Sequence, residues 1–127
     1  KLGPALVGMA GPAANLLLAI LAAGGASLAM HAGMVTSGNL IMVFLTLLMV
    51  INVMLMAFNL IPLPPLDGSK VLLAVLHAPR YATWRFFLET RGPILLLALI
   101  IIDRFTGIAI FSGLFQGALH LISRLLG

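Results

Sequence analysis

Asp67 is one of three acidic residues in the chain and follows directly on a proline-rich run, in the stretch "FNLIPLPPLDGSK" (residues 58–70). A carboxylate and three prolines at the end of a continuous apolar segment are each costly beside hydrocarbon, so chemistry is to be sought there first. Pro62, Pro64 and Pro65 cannot all sit in a regular helix, and each drives the residue before it towards extended geometry. "IPLPP" is therefore read as extended backbone, tolerated near a bilayer only where it is buried in protein or lines a watery cavity. Asp67 then has two readings. One is an N-cap at the membrane surface for a short helix beginning at Gly68, with Pro79 beyond its end. The other is a carboxylate at the rim of a polar pocket, with Asn59 one helix end away, placed to hold a cation or a proton. Residue physics alone favours the cap. Spacing names no metal, because catalytic zinc takes three protein ligands and this chain offers one good candidate.

The elements that must position these residues are membrane helices. Of 127 residues, 62% are hydrophobic and 8% charged, and the mean hydropathy is +1.22. A chain of that composition is an integral membrane protein, counted in crossings of roughly 20 apolar residues each. The net charge of +4 comes from too few groups to form a basic stripe, and with one Trp and one Tyr for stacking, nucleic acid is not an expected partner. Cysteine is absent, which excludes disulfides and thiolate metal sites. The sequence opens on Lys1 with no signal-peptide architecture, so a piece lacking its beginning is expected.

Segment one, about residues 5–30, is long enough to cross, with Pro12 inside it predicting a kink or a helix that starts near Pro12. Ala19 with Ala23, and Ala22 with Ala26, repeat at a spacing that lets a neighbouring helix approach closely, and Asn15 is expected in an interhelical hydrogen bond. Segment two, residues 40–60, follows the polar break "HAGMVTSGN" and carries Asn52 and Asn59 on one face, which must point at protein or water. A short helix is expected at 68–77. "PRYATWRFF" (residues 79–87) has the composition of a segment at headgroup level. Segment three, Pro93 to Ile102, is too short to cross, since ten residues reach about 15 Å. Either it begins earlier, near Trp84 and through Glu89 and Arg91, or it forms a hairpin with segment four; the hairpin is preferred, with helices at about 88–103 and 107–126. Lys70, Arg80, Arg85 and Arg91 against Asp67 and Glu89 place Lys1 and residues 61–92 on the cytoplasmic side. The fold class is all-α, a polytopic transmembrane bundle broken by proline at 61–67, read as a single domain over 1–127.

"FNLIPLPPLDG" resembles the Asn-x-x-Pro-x-Pro-x-Leu-Asp-Gly signature of the site-2 protease family of intramembrane zinc metalloproteases, peptidase family M50. "MAGPAANLLLA" (residues 9–19) resembles the Gly-Pro-x-x-Asn helix that precedes that signature in the family's compact bacterial and archaeal branch, which has no PDZ insertion. The two motifs stand in the family's order across about residues 3–76, and "VIN" (residues 50–52) suits the same branch.

The resemblance implies that Asp67 is the third ligand of Zn2+ and that Asn59 lies beside the site, helping to hold substrate or the developing oxyanion. Asn15, Asn52, Pro62, Pro64 and Gly68 are implied as substrate-binding or site-supporting residues. The family's other two ligands are histidines of a His-Glu-x-x-His helix, whose spacing puts both on one helix face with the glutamate placed to take a proton from metal-bound water. This chain has no such motif: His31, His77 and His120 are isolated, none is followed by Glu, and none is expected to bind zinc. The chain is thus expected to be the C-terminal part of an M50-like domain in a prokaryotic plasma membrane, inactive alone, with missing N-terminal helices of the same protein, membrane lipid and a transmembrane peptide substrate as partners. The extended proline segment would offer unpaired backbone to which an unwound substrate adds as a strand. Two rivals stand beside this reading: a non-catalytic membrane scaffold subunit, and a fragment of an ion-coupled transporter in which Asp67 and Asn59 coordinate the ion.

Overall fold

The computed structural model describes residues 2–126, with side chains described as far as Arg124. Lys1, which the charge reading sets on the cytoplasmic side, lies outside the described residues. These residues form five α-helices and one 3-10 turn, with no strand among them.

Helix α1 (Gly3–His31) begins with Pro4 in its first turn, where a missing N–H costs nothing, and runs on through Pro12. The expectation of a start near Pro12 is corrected: Gly8 and Pro12 are both buried in the middle of a continuous helix, where neighbouring packing supports the weakened turn. α1 ends where Gly33 takes φ +66°. There the Met34 amide reaches the Ala29 carbonyl at 3.0 Å and the Gly33 amide the Met30 carbonyl at 3.0 Å, a Schellman closure that uses up the last carbonyls. Asn39 then caps helix α2 (Leu40–Asn59), its side-chain oxygen accepting from the Ile41 amide at 2.8 Å.

α1 and α2 pack along their length, and Ala19 and Ala22, fully or almost fully buried, are the small residues that allow the approach. Helix α5 (Ile110–Leu126) lies against both, so that Ala19, Val53 and Ile122 meet in one core with Leu16, Met49, Ala118 and Leu119 around it. Phe58 near the end of α2 stacks on Phe111 near the start of α5 with centroids 5.9 Å apart, which makes the two helices antiparallel. The outward faces carry exposed Leu17, Leu21, Phe44 and Leu47, as a lipid-facing surface requires. α1 and α2 are each long and apolar enough to cross a bilayer.

Helix α3 (Gly68–Val75) packs on the N-terminal half of α1, and a 3-10 turn (Pro79–Tyr81) leads into helix α4 (Ala82–Thr106). α4 starts well before the expected residue 88 and continues through Glu89, Arg91 and Pro93 to residue 106. The preferred hairpin is also corrected: α4 and α5 meet at 92°, a corner rather than an antiparallel return. Gly107 in the left-handed region ends α4, and the Asp103 carboxylate turns back to accept the Ile110 amide at the start of α5.

A larger side chain at Ala19 has nowhere to go. Ala19→Leu is expected to destabilise the bundle by about 1–3 kcal/mol. Leu21→Ala, on the lipid face, is expected to stay within about 0.5 kcal/mol. Thermal unfolding in detergent micelles measures both.

Candidate active site

The break between α2 and α3 is a chain of turns. The Ile61 amide reaches back to the Phe58 carbonyl at 3.2 Å, Leu63 to Ile61 at 2.9 Å, and Leu66 to Leu63 at 3.0 Å. The extended strand expected for "IPLPP" is thus replaced by consecutive turns, and the Pro64–Pro65 peptide is cis. The physical reason is donor economy: the prolines have no N–H, and the remaining N–H groups at 61, 63 and 66 all find partners within the segment. Among the described residues the backbone carbonyls of Pro62, Pro64 and Pro65 accept no backbone hydrogen bond, so the segment presents mainly open acceptors, which is half of a strand edge.

Two close packings hold this segment. A Cβ on Gly68 would run into the Leu60 carbonyl and stand 2.7 Å from the Ile61 oxygen, so only glycine lets α3 begin against the end of α2. A Cβ on Gly92 would lie 2.7 Å from Pro64 Cδ, which brings α4 directly onto the buried proline. Ser69, also buried, donates its hydroxyl to the Leu66 carbonyl at 2.6 Å.

Asp67 occupies the residue before α3 without capping it. Its backbone is helical (φ −64°, ψ −31°) and its side chain makes no cap hydrogen bond. The expected N-cap is corrected, because a cap oxygen reaches the following amides only from extended backbone. The carboxylate instead accepts from Lys70 Nζ at 3.0 Å, one turn on, and its other oxygen is packed over α1, where a Cβ on Gly11 would approach Oδ2 to 2.6 Å. Gly8 gives the same clearance to the Asp67 carbonyl and the Lys70 stem. The side chains of Asp67 and Lys70 are 30% and 42% exposed, so water reaches the pair.

The other anticipated residues surround this point to different degrees. Asn15 is half-buried one turn beyond Gly11 on the same face of α1, and Asn59 is half-buried at the last turn of α2. Neither amide makes a hydrogen bond among the described residues, so the interhelical bond expected of Asn15 is not formed. Asn52 is buried within the bundle and donates to the Leu48 carbonyl of its own helix at 2.8 Å, which occupies it structurally. Pro62 and Gly68 line a shallow apolar groove of roughly 330 Å³ with Met9, Leu60, Leu72 and Val75. The histidines stay apart: His31 bonds the Ser27 carbonyl at the end of α1, His77 lines a different groove with Lys70 and Arg85, and His120 is exposed on α5.

Among the described residues no three of His, Cys, Asp and Glu come together as a metal donor set. Zinc in a catalytic site takes three, so the residues present do not hold it by themselves.

The model of the family described as Peptidase family M50 matches residues 24–100. The chain belongs to peptidase family M50. No curated protein and no solved structure matches it. As an M50 chain it is an integral membrane protein of a metalloprotease family. The matched span runs from the last third of α1 to Ile100 in α4, and so includes Asn52, Asn59, the turn segment, Asp67 and Gly68. Lys70, Gly8 and Gly92 were missed as site residues. Lys70 three positions after Asp67 on a helix is a spacing that pairs charges, and Gly8 with Gly11 share a face, so both had a signal; Gly92 had none, since its partner Pro64 is 28 positions away.

The clearance at Gly11 is testable by a double-mutant cycle. In the Asp67→Ala background, Gly11→Ala is expected to stabilise by about 0.5–1 kcal/mol, the usual gain in a helix interior. With Asp67 present the gain is expected to vanish or reverse, a coupling of about 1 kcal/mol or more by thermal unfolding.

Proposed function

We propose that this chain forms part of an intramembrane zinc metalloendopeptidase that cleaves transmembrane or membrane-proximal peptides, with Asp67 as one of the metal's donors. The observation that carries the reading is the placement of Asp67: a water-accessible carboxylate at the end of a helix break, one oxygen lodged over Gly11, in a chain of the M50 family. Because the donor set is incomplete here, the site needs two histidines from outside this chain, supplied by other helices of the same protein.

The residues present have distinct parts in this proposal. Lys70 and the glycine face of α1 hold the carboxylate in one orientation, so little is left to be ordered when a metal arrives. The Asn59 amide, without a partner of its own, is available to the substrate carbonyl or to the oxyanion that develops on it. The open carbonyls at Pro62 and Pro65 accept backbone donors from a substrate helix that has unwound, while the groove beside Gly68 and Pro62 takes an apolar side chain. Asn15, Asn52 and Pro64 support this arrangement from behind. Residues 61–92 carry four basic and two acidic side chains, which favours a cytoplasmic position and gives water a route to Asp67. The donor count also supports a second reading, a non-catalytic scaffold subunit that keeps the M50 framework for binding transmembrane partners.

In the complete protein, Asp67→Asn is expected to lower zinc affinity at least about 100-fold and to abolish cleavage of a membrane substrate. Unchanged zinc content by elemental analysis together with unchanged cleavage would remove Asp67 from the site. The 127-residue chain alone is expected to retain no stoichiometric zinc and to cleave nothing; chelator-sensitive hydrolysis by it would overturn the need for outside donors.

A further inference from the structure

A second concavity, separate from the open carbonyls and the apolar groove, lies on the other flank of α3. It is a groove of roughly 270 Å³ closed by Pro4 at the start of α1, by Lys70, Leu73 and His77 on and just after α3, and by Arg85 and Glu89 on α4. α3, the residues after it and α4 thus bring two cations and an imidazole together against the start of α1. Within this groove Arg85 is incompletely satisfied. Its Nε is buried and has no hydrogen-bond partner among the described residues, while the side chain as a whole is 40% exposed and its terminal nitrogen stands 3.9 Å from Glu89 Oε1, beyond hydrogen-bond reach. A buried donor without an acceptor is uncommon and calls for an explanation. Lys70 uses one ammonium proton on Asp67 and has two more to give.

The surroundings place this groove at the level of lipid headgroups. Pro4 marks the end of the α1 crossing, and Trp84 and Phe86, the residues on either side of Arg85 in α4, are exposed at 63% and 69%. Aromatic and aliphatic side chains around a cationic cleft match the boundary between acyl chain and headgroup, where phosphates are concentrated. A phosphate monoanion offers the several acceptor oxygens that a guanidinium fork and an ammonium take up together.

We propose that this groove binds the phosphate of an anionic glycerophospholipid headgroup, with Arg85 as its principal donor and Lys70 and His77 as flanking donors. Glu89, one turn along α4 from Arg85, sets the affinity: its carboxylate repels the anion and competes for Arg85. The groove therefore takes a specific lipid where the rest of the surface takes any.

Native mass spectrometry of the full 127-residue chain in nonionic detergent, titrated with phosphatidylglycerol, tests this directly. One phosphatidylglycerol per chain is expected, bound several-fold tighter than phosphatidylcholine. Arg85→Gln is expected to weaken it about 10-fold. Arg80→Gln, outside the groove, is expected to leave it unchanged. Glu89→Gln is expected to tighten it about 3-fold, a gain that a misfolded variant does not produce. Equal phosphatidylglycerol retention by wild type and Arg85→Gln, or no gain in Glu89→Gln, would overturn the site. Arg85-dependent retention of inorganic phosphate that phosphatidylglycerol fails to displace would assign the groove to free phosphate and overturn the lipid.

Discussion

Hydrocarbon offers no partner to a backbone amide, and the rest of this structure follows from how residues 60–67 meet that constraint. Three prolines remove three donors, and the N–H groups of Leu60, Ile61, Leu63 and Leu66 close turns in the segment or back onto the end of α2. What is left over is a set of carbonyls without a backbone donor and a chain break that must be covered by protein. The cover comes from glycines: Gly68 lets α3 begin against the end of α2, Gly92 lets α4 sit on Pro64, and Gly8 and Gly11 let Asp67 and Lys70 lie on α1. Each is a close approach between backbone and a neighbour that any Cβ would prevent. The helix break is therefore a packed feature, and its position determines where the carboxylate stands.

Asp67 inherits its environment from that packing. As a cap it would have turned its oxygen to the amides of α3; with helical backbone it turns towards α1 and Lys70. The result is an acceptor group held from two sides and reached by water on a third, at the end of a bundle with an apolar outer face. Lys70 connects this point to the cationic groove on the far side of α3, since its stem packs against Gly8 while its ammonium joins Asp67. Charge at one place is therefore felt at the other across a single side chain.

The membrane-spanning part rests on different forces. Ala19, Val53 and Ile122 show α1, α2 and α5 meeting through small and β-branched residues, which is how helices associate where lipid tails are as apolar as the core. α4 stands apart from this core: it contacts the preceding turn and Pro64 and then hands the chain to α5 through the corner at Gly107.

The sequence by itself determined the all-α class, the two long crossing helices, the membrane location and the family. Long apolar runs, the polar break before residue 40, the proline break and the Asn59 to Gly68 signature are local, and local propensity in an apolar solvent admits few alternatives. Asn52 and Asn59 were legible as inward-facing because no amide is left to lipid. What only the tertiary structure decided concerns contacts between distant residues. The turns in "IPLPP", the loss of the cap at Asp67, the start of α4 at residue 82 and the right angle to α5 depend on Gly11 meeting Asp67, Gly92 meeting Pro64, and Asp103 turning back to Ile110. None of these has a periodicity to reveal it, because the contacting residues are joined by packing across the bundle and not by a repeat along the chain.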